Sequence, residues 1–147
     1  MTVRDFITRH EGRKDKPYKC PAGFKTIGAG WNMDANPLPG DIRDYLRAHG
    51  RILDEHIDRL LTMSINTAAS DCKRLFPLFE NFSDNRKMAL IDFVFQLGQG
   101  GAGKFVRMIA AVNSGRWEDA AREMRDSNYY RQVPGRAEEV IDLIKEG

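Results

Sequence analysis

The stretch RHEGRKDKPYKCPAGFKTIGAGW, residues 9–31, carries a carboxyl at Glu11, a thiol at Cys20 and a hydroxyl at Thr26. One reading is surface chemistry of no consequence; the other is an active site. A carboxyl that keeps its proton can serve as general acid to a departing oxygen. A thiolate or hydroxyl facing it can receive or orient the attacking water. Glu11 falls at the C-terminal end of a predicted short helix, where the negative end of the helix dipole disfavours a carboxylate. Cys20 and Thr26 have like parity on two predicted strands. If the hairpin pairs even positions with even, both side chains point to one face. One proton donor then looks across a gap at a thiol and a hydroxyl, with room for a sugar and a water.

The elements that must hold these groups follow from periodicity. Val3, Phe6, Ile7 and His10 recur at helical spacing, with Thr2 as N-cap and Gly12 as stop. Pro17, Pro21, Gly23, Gly28 and Gly30 exclude a long helix over residues 14–34, and PYKC and FKTI read as two short strands around PAG. A short helix follows over residues 39–49. From Asp54 to about Phe76, the residues Ile57, Leu61, Ile65, Ala68, Cys72 and Leu75 mark one face of a long helix. Met88 to Leu97 is apolar nearly all round, the pattern of a buried bundle centre. KFVRMIAAVNSG, RWEDAAREMRDS and PGRAEEVIDLIKEG read as three shorter amphipathic helices. The predicted class is α+β: a small N-terminal lobe with a β-hairpin, a long connecting helix and a C-terminal helical bundle. One domain of two lobes is expected, with about 12–55 as the hairpin lobe and 1–11 with 56–147 as the helical lobe.

Composition bounds the function. The 147 residues are 41% hydrophobic and 30% charged, which excludes a disordered chain. A net charge of +2 does not argue for nucleic acid. No apolar run approaches the roughly 20 residues that span a membrane, and no signal-peptide apolar region is read at the N-terminus. The expectation is a chain made in the cytoplasm, with Cys20 and Cys72 as free thiols. His10, His49 and His56 lack metal spacing, so neither metal nor cofactor is expected. Cys72 lies on the apolar stripe of the long helix and reads as a core thiol.

The pattern E-x8-C-x5-T followed by IGAG resembles the opening motif of the T-even phage lysozymes, glycoside hydrolase family 24. A second block carries the likeness onward: ALIDFVFQLG, then QGGAG, GRWEDAA and NYYRQVPGRAEEVI, in the family's order. The resemblance covers nearly the whole chain and is least specific over residues 35–80. It implies a lysozyme-like fold with a cleft between two lobes. It also implies a muramidase, or endolysin, that hydrolyses the β-1,4 bond between N-acetylmuramic acid and N-acetylglucosamine in peptidoglycan. By the same resemblance Glu11 protonates the glycosidic oxygen, position 20 handles the attacking water, and Thr26 helps hold that water. Arg136 matches an arginine that pairs with the catalytic Glu, and Phe95 and Gln96 match positions that face the cleft. The family looks inverting, which requires carboxyl groups roughly 6.5–9.5 Å apart so that water fits between.

Position 20 departs from the family's commoner Asp. A free thiol has an ordinary pKa near 8.5, so few are ionised at neutral pH unless neighbours intervene, and Lys19 and Lys25 are close in sequence. Three readings stay open for Cys20: a thiolate base or water-positioning group, a nucleophile that gives retention, or a small residue beside Glu11 and Thr26. Trp31 replaces a His often found there. It is read as a substrate-binding Trp stacked on a sugar face, with packing against the lobe as the alternative. The basic run Arg13, Lys14, Lys16, Lys19 and Lys25 suits an anionic wall or a solvated hairpin.

The expected protein is thus a monomeric endolysin acting on peptidoglycan, with no nucleic-acid partner and no stable membrane association. It would wait in the host bacterial cytoplasm until released to the periplasmic wall. Two alternatives stand beside it: a wall-binding domain that has lost catalysis, and a lytic transglycosylase, which needs the Glu but no base at position 20.

Overall fold

Helix α1, Val3–Glu11, buries Phe6 and Ile7 and ends where the Gly12 N–H donates to the Thr8 carbonyl at 2.8 Å. The computed structural model describes residues 1–147, the side chain of Gln99 excepted. Three strands follow, β1 (Lys14–Lys19), β2 (Lys25–Gly28) and β3 (Trp31–Asn32), as one antiparallel sheet in the order β1-β2-β3. Tyr18 stands opposite Thr26 and Lys19 opposite Lys25, so even positions pair with even. The strand ends differ from the expected ones: Cys20 and Phe24 belong to the turn, and a third strand is present. Two residues carry too little alternation to announce β3, which pairs through Thr26↔Asn32 and Ile27↔Trp31.

β1 is irregular. Lys14 faces Gly28 and Tyr18 faces Thr26, so four steps along β1 match two along β2. Pro17 sits in this bulge, where it has no N–H to give to a ladder. The Asp15 carbonyl is used from outside the sheet instead, by the Ile52 N–H at 2.9 Å.

Contacts group Val3–Ile65 as one unit and Asn66–Gly147 as a second, so the division falls inside α3 (Asp54–Leu75). The lobes were expected to divide elsewhere, with α1 in the helical lobe. Side-chain bonds explain why α1 groups with the sheet and the first half of α3. The Arg4 guanidinium donates to the Thr62 hydroxyl and to the Asp58 carbonyl, and Arg13 just beyond α1 pairs with Asp58 at 2.8 Å. The first unit also holds α2 (Gly40–His49). Its apolar interior includes Phe6, Ile7, Ile27, Ile42, Ile57, Leu60 and Leu61, each 2% exposed or less.

The second unit continues from α3 through a single 3-10 turn, Phe79–Asn81, to α4 (Asp84–Gly103), α5 (Val106–Asn113), α6 (Trp117–Arg125), α7 (Asn128–Gln132) and α8 (Pro134–Glu146). Ser83 caps α4, its hydroxyl accepting the Arg86 N–H at 3.2 Å, and Pro134 opens α8 at the position where a missing N–H costs nothing. α8 packs on α4, α6 and α7, and α5 on α6. Leu90, Phe93 and Val94 of α4 are buried beside Val140, Ile141 and Ile144 of α8. α4 is two helical segments broken at Gly98, whose φ of 69° and ψ of 165° lie outside the helical region. Cys72 is fully buried, and burial followed by the neighbouring Asp71 pushes its thiol up to about 12. It is the core thiol that its stripe position implies.

One polar pair lies within this apolar unit. Asp92 is 0% exposed and Arg136 is 9% exposed. Asp92 Oδ1 accepts from Arg136 Nη2 at 2.6 Å and Oδ2 from Nε at 3.2 Å. Removing one partner from such a pair strands a buried charge, whereas replacing both with apolar residues does not. Asp92→Ala is therefore expected to lower unfolding free energy by about 3–5 kcal/mol in urea titrations, and the double variant Asp92→Leu/Arg136→Met to recover most of it.

Candidate active site

The first unit brings Glu11, Cys20 and Thr26 together from three local causes. Glu11 is the last residue of α1, and its carboxyl lies against Gly30 in the turn between β2 and β3. A Cβ built on Gly30 would come 2.9 Å from Glu11 Cδ and 3.0 Å from Oε2. Gly30 also has φ +84°, a conformation that L side chains rarely adopt. Its backbone therefore favours glycine, and a Cβ there would displace the half-buried Glu11 carboxyl.

Cys20 opens the hairpin turn CPAGF. Its N–H donates to the Phe24 carbonyl at 3.0 Å, and the Gly23 N–H donates to the Cys20 carbonyl at 2.8 Å. This closure points backbone N–H groups at the sulfur. Partial burial raises the thiol. The Phe24 N–H, the Thr26 hydroxyl and the N–H groups of Ala22 and Gly23 outweigh it and bring the thiol below its ordinary value. The expected helpers, Lys19 and Lys25, play no part among these causes, and both are exposed. They pair with each other one step from the Tyr18–Thr26 pair, which puts them on the opposite face of their strands from Thr26, since side chains alternate.

Thr26 is 4% exposed and its hydroxyl donates to the Phe24 carbonyl at 3.0 Å. A hydroxyl has a single proton to donate. With a neutral thiol that proton serves Phe24; with a thiolate it is available to sulfur. The Phe24 carbonyl keeps the Cys20 N–H in either case. The parity argument for Cys20 and Thr26 thus corresponds to a direct interaction.

Tyr18 joins this group without having been picked out from the sequence. It stands directly across from Thr26 on the same face of the sheet and is half-buried. Burial, then the charge of Glu11, then that of Cys20 raise its phenol. Its parity was visible in PYKC, but the bulge before it was not.

Trp31 occupies the other face. It pairs with Ile27, which is 0% exposed; it is itself 8% exposed, and its indole N–H donates to the Asn36 carbonyl at 3.1 Å. Its burial and alternation place it in the packing of the first unit, the second of the two readings for Trp31. Arg13 is likewise engaged, with Asp58 and with Asp54 at 3.6 Å, while Lys14, Lys16, Lys19 and Lys25 are exposed.

Phe95, Gln96 and Arg136 belong to the second unit. Phe95 and Gln96 are half-buried in the last turn of α4 before the break at Gly98. The Gln96 side-chain oxygen is buried and has no hydrogen-bond partner among the described residues. Arg136 is held by Asp92, a partner the sequence reading did not name. Among the described residues no group of three or more His, Cys, Asp or Glu is placed to hold a metal ion, and no helix is long and apolar enough to cross a membrane.

Comparisons with known proteins bear on the family. The family model described as phage lysozyme matches residues 8–140. The pre-baseplate central spike protein Gp5 of Enterobacteria phage T4 is 30% identical over 165 residues, which cover 100% of this chain and 28% of that protein. Probable T4-type lysozyme 2 and probable T4-type lysozyme 1 of Dictyostelium discoideum are 28% and 26% identical over 161 residues. Those matches cover 99% of this chain and 95% of each relative. The chain therefore spans under a third of the spike protein's length and nearly all of the two lysozymes.

The two thiols allow a direct test of the turn. Cys72, buried and pushed up to about 12, stays silent toward alkylation of the native protein, so iodoacetamide reports Cys20 alone. Thr26→Val removes one donor to the thiolate. The pH profile of alkylation should move upward and the rate at pH 7.5 fall by roughly twofold to tenfold, as one hydrogen bond of about 0.5–1.5 kcal/mol implies.

Proposed function

We propose, for a chain that belongs to the phage lysozyme family and is a peptidoglycan-degrading glycoside hydrolase, that Glu11 is its general acid and Cys20 its water-handling group. The bond cleaved in this reading is the β-1,4 linkage from N-acetylmuramic acid to N-acetylglucosamine. The observation that carries it is the seat of the Glu11 carboxyl against Gly30, in the same unit as the Cys20–Thr26 pair and beside the Tyr18 that feels both charges.

The steps follow from those groups. Glu11 gives its proton to the glycosidic oxygen, the bond from the anomeric carbon to that oxygen breaks, and an alcohol departs. Water attacks the oxocarbenium-like carbon from the opposite face and loses a proton to the Cys20 thiolate. The lowered thiol makes the thiolate more abundant near neutrality than a free cysteine would. Thr26 accepts a hydrogen bond from the water. Glu11 regains its proton from solvent, and Cys20 releases one.

Asp92 holds the Arg136 guanidinium through two hydrogen bonds. Phe95 and Gln96 meet the glycan, and the partnerless Gln96 oxygen suits an N-acetyl N–H or a sugar hydroxyl. The protein acts as a monomer on the periplasmic wall after release from the host cytoplasm, without a nucleic-acid partner or cofactor.

Purified protein added to Gram-negative cell walls tests this reading. Clearing should fall by roughly 10²–10⁴-fold in Glu11→Gln. The fresh product of the wild-type enzyme should be the α-anomer, through inversion. A β-anomer would make Cys20 the nucleophile, and 1,6-anhydro ends would mean a transglycosylase. Full clearing by Glu11→Gln would remove the acid from the mechanism.

A further inference from the structure

The hairpin carries charge that the proposed reaction does not use. Residues 14–25 hold four lysines and one aspartate, a net +3 in a chain whose total is +2. Lys14, Lys16, Lys19 and Lys25 are exposed, and none of their ammonium groups has an acidic partner among the described residues. Arg13 and Arg59 of the same unit each hold a carboxylate instead. The acid nearest in the fold, Asp34, accepts the Lys25 backbone N–H at 2.9 Å rather than its ammonium. Lys19 and Lys25 stand directly opposite each other across the strands. Like charges so placed repel, and an anion lying over both relieves the repulsion.

Beyond this pair the tip is apolar. Pro21, Ala22, Gly23 and Phe24 are exposed, and Phe24, at 48%, is the one exposed aromatic side chain among the described residues. Its backbone is fixed, because the Phe24 carbonyl accepts the Cys20 N–H and the Thr26 hydroxyl, both at 3.0 Å. A ring presented on a closed turn has little backbone freedom left to lose on docking.

From this order of groups we infer that the hairpin tip is a docking surface for a bilayer of anionic phospholipid. Phe24 enters the headgroup boundary with Pro21 and Ala22 beside it, and Lys19 and Lys25 behind them meet the phosphates. An apolar tip with a collar of cations matches the gradient of a bilayer, polar at the headgroups and apolar below. A hydrated wall polymer would meet the lysines but offer the ring no apolar medium to enter. The long lysine stems let the ammonium groups stay at the headgroups while the tip goes deeper. The contact is reversible, since one ring and a few charges supply far less than a spanning helix. It does not rest on the roles given to Glu11 and Cys20.

Co-sedimentation of the full chain with lipid vesicles tests this. Equimolar phosphatidylglycerol and phosphatidylcholine should bind the protein in dilute buffer, and phosphatidylcholine alone should not. Binding should vanish near 0.5 M salt, where screening cuts the reach of each charge to about 4 Å. Lys19→Gln/Lys25→Gln should lower the partition coefficient by roughly 30-fold, about fivefold for each charge. Phe24→Ser should lower it by roughly tenfold. Lys104→Gln/Arg107→Gln removes the same net charge beside Val106, which is 69% exposed, and should leave it unchanged. In Phe24→Trp the added indole should shift its emission to the blue on the anionic vesicles, with the wild-type protein as the blank for Trp31 and Trp117. Wild-type protein that ignores the anionic vesicles overturns the inference. Equal losses in the two double variants also overturn it, since net charge alone would then drive adsorption. An unmoved emission in bound Phe24→Trp does the same. If the hairpin variants bind vesicles as wild type does but lose affinity for purified peptidoglycan sacculi, the surface serves the wall and the inference fails. Should Phe24→Ser or the lysine variant unfold early in urea, the emission of Phe24→Trp decides alone.

Discussion

The arrangement of the first unit turns on a contact in which one partner has no side chain. The Glu11 carboxyl occupies the space a Cβ on Gly30 would need, with a separation of 2.9 Å from Glu11 Cδ. Real Cβ atoms do not approach that closely, so any other residue would have to evict the carboxyl or shift the β2–β3 turn. The same turn carries a positive φ that a larger residue would resist. Two constraints of different origin thus meet at one glycine, and they fix how the end of α1 sits on the sheet. The ties from Arg4 to Thr62 and from Arg13 to Asp58 hold the rest of α1 to α3, so the carboxyl is aimed by packing at one end and by the turn at the other.

In the hairpin turn, the chain builds an anion-friendly site from backbone. A carboxylate at position 20 would accept hydrogen bonds strongly and be ionised at neutral pH without assistance. A thiol needs help, and the CPAGF turn supplies it through N–H groups whose directions are already fixed by the hairpin closure. Such groups need no side-chain ordering, so their contribution costs little conformational entropy. Lysines would have been a weaker device, because exposed ammonium groups are screened by water and salt.

Much of this was legible in the residues. Helical spacing located α1, α2 and the 22-residue α3 to within about two residues, as is usual for helix ends. Parity put Cys20 and Thr26 on one face only if even positions pair with even, which the register Tyr18↔Thr26 satisfies. What escaped depends on interactions distant in sequence or on departures from regular pairing. The bulge at Asp15–Pro17 depends on Ile52, far along the chain, and it decides where Tyr18 points. Trp31 admitted two readings, sugar stacking or packing, and its cross-strand neighbour Ile27 lies in the interior with it. Asp92 sat in an apolar run and drew no attention until Arg136, 44 residues away, was seen to pair with it. The grouping of α1 with the sheet is likewise set by Arg4 and Arg13, whose partners Thr62 and Asp58 lie far along the chain.

The single proton of Thr26 links these features into one chemical state. It rests on the Phe24 carbonyl at 3.0 Å, a carbonyl that also receives the Cys20 N–H at 3.0 Å. When Cys20 ionises, the hydroxyl can turn to the sulfur at small cost, since Phe24 retains one donor. In turning, it gives the sulfur a donor that a carboxylate at position 20 would not need in order to ionise at neutral pH. The hydroxyl at position 26 therefore matters more in a chain with Cys20 than in one with an acid there, and the nearly complete burial of Thr26 follows: a rotor that must choose between two partners works only where bulk water cannot offer a third.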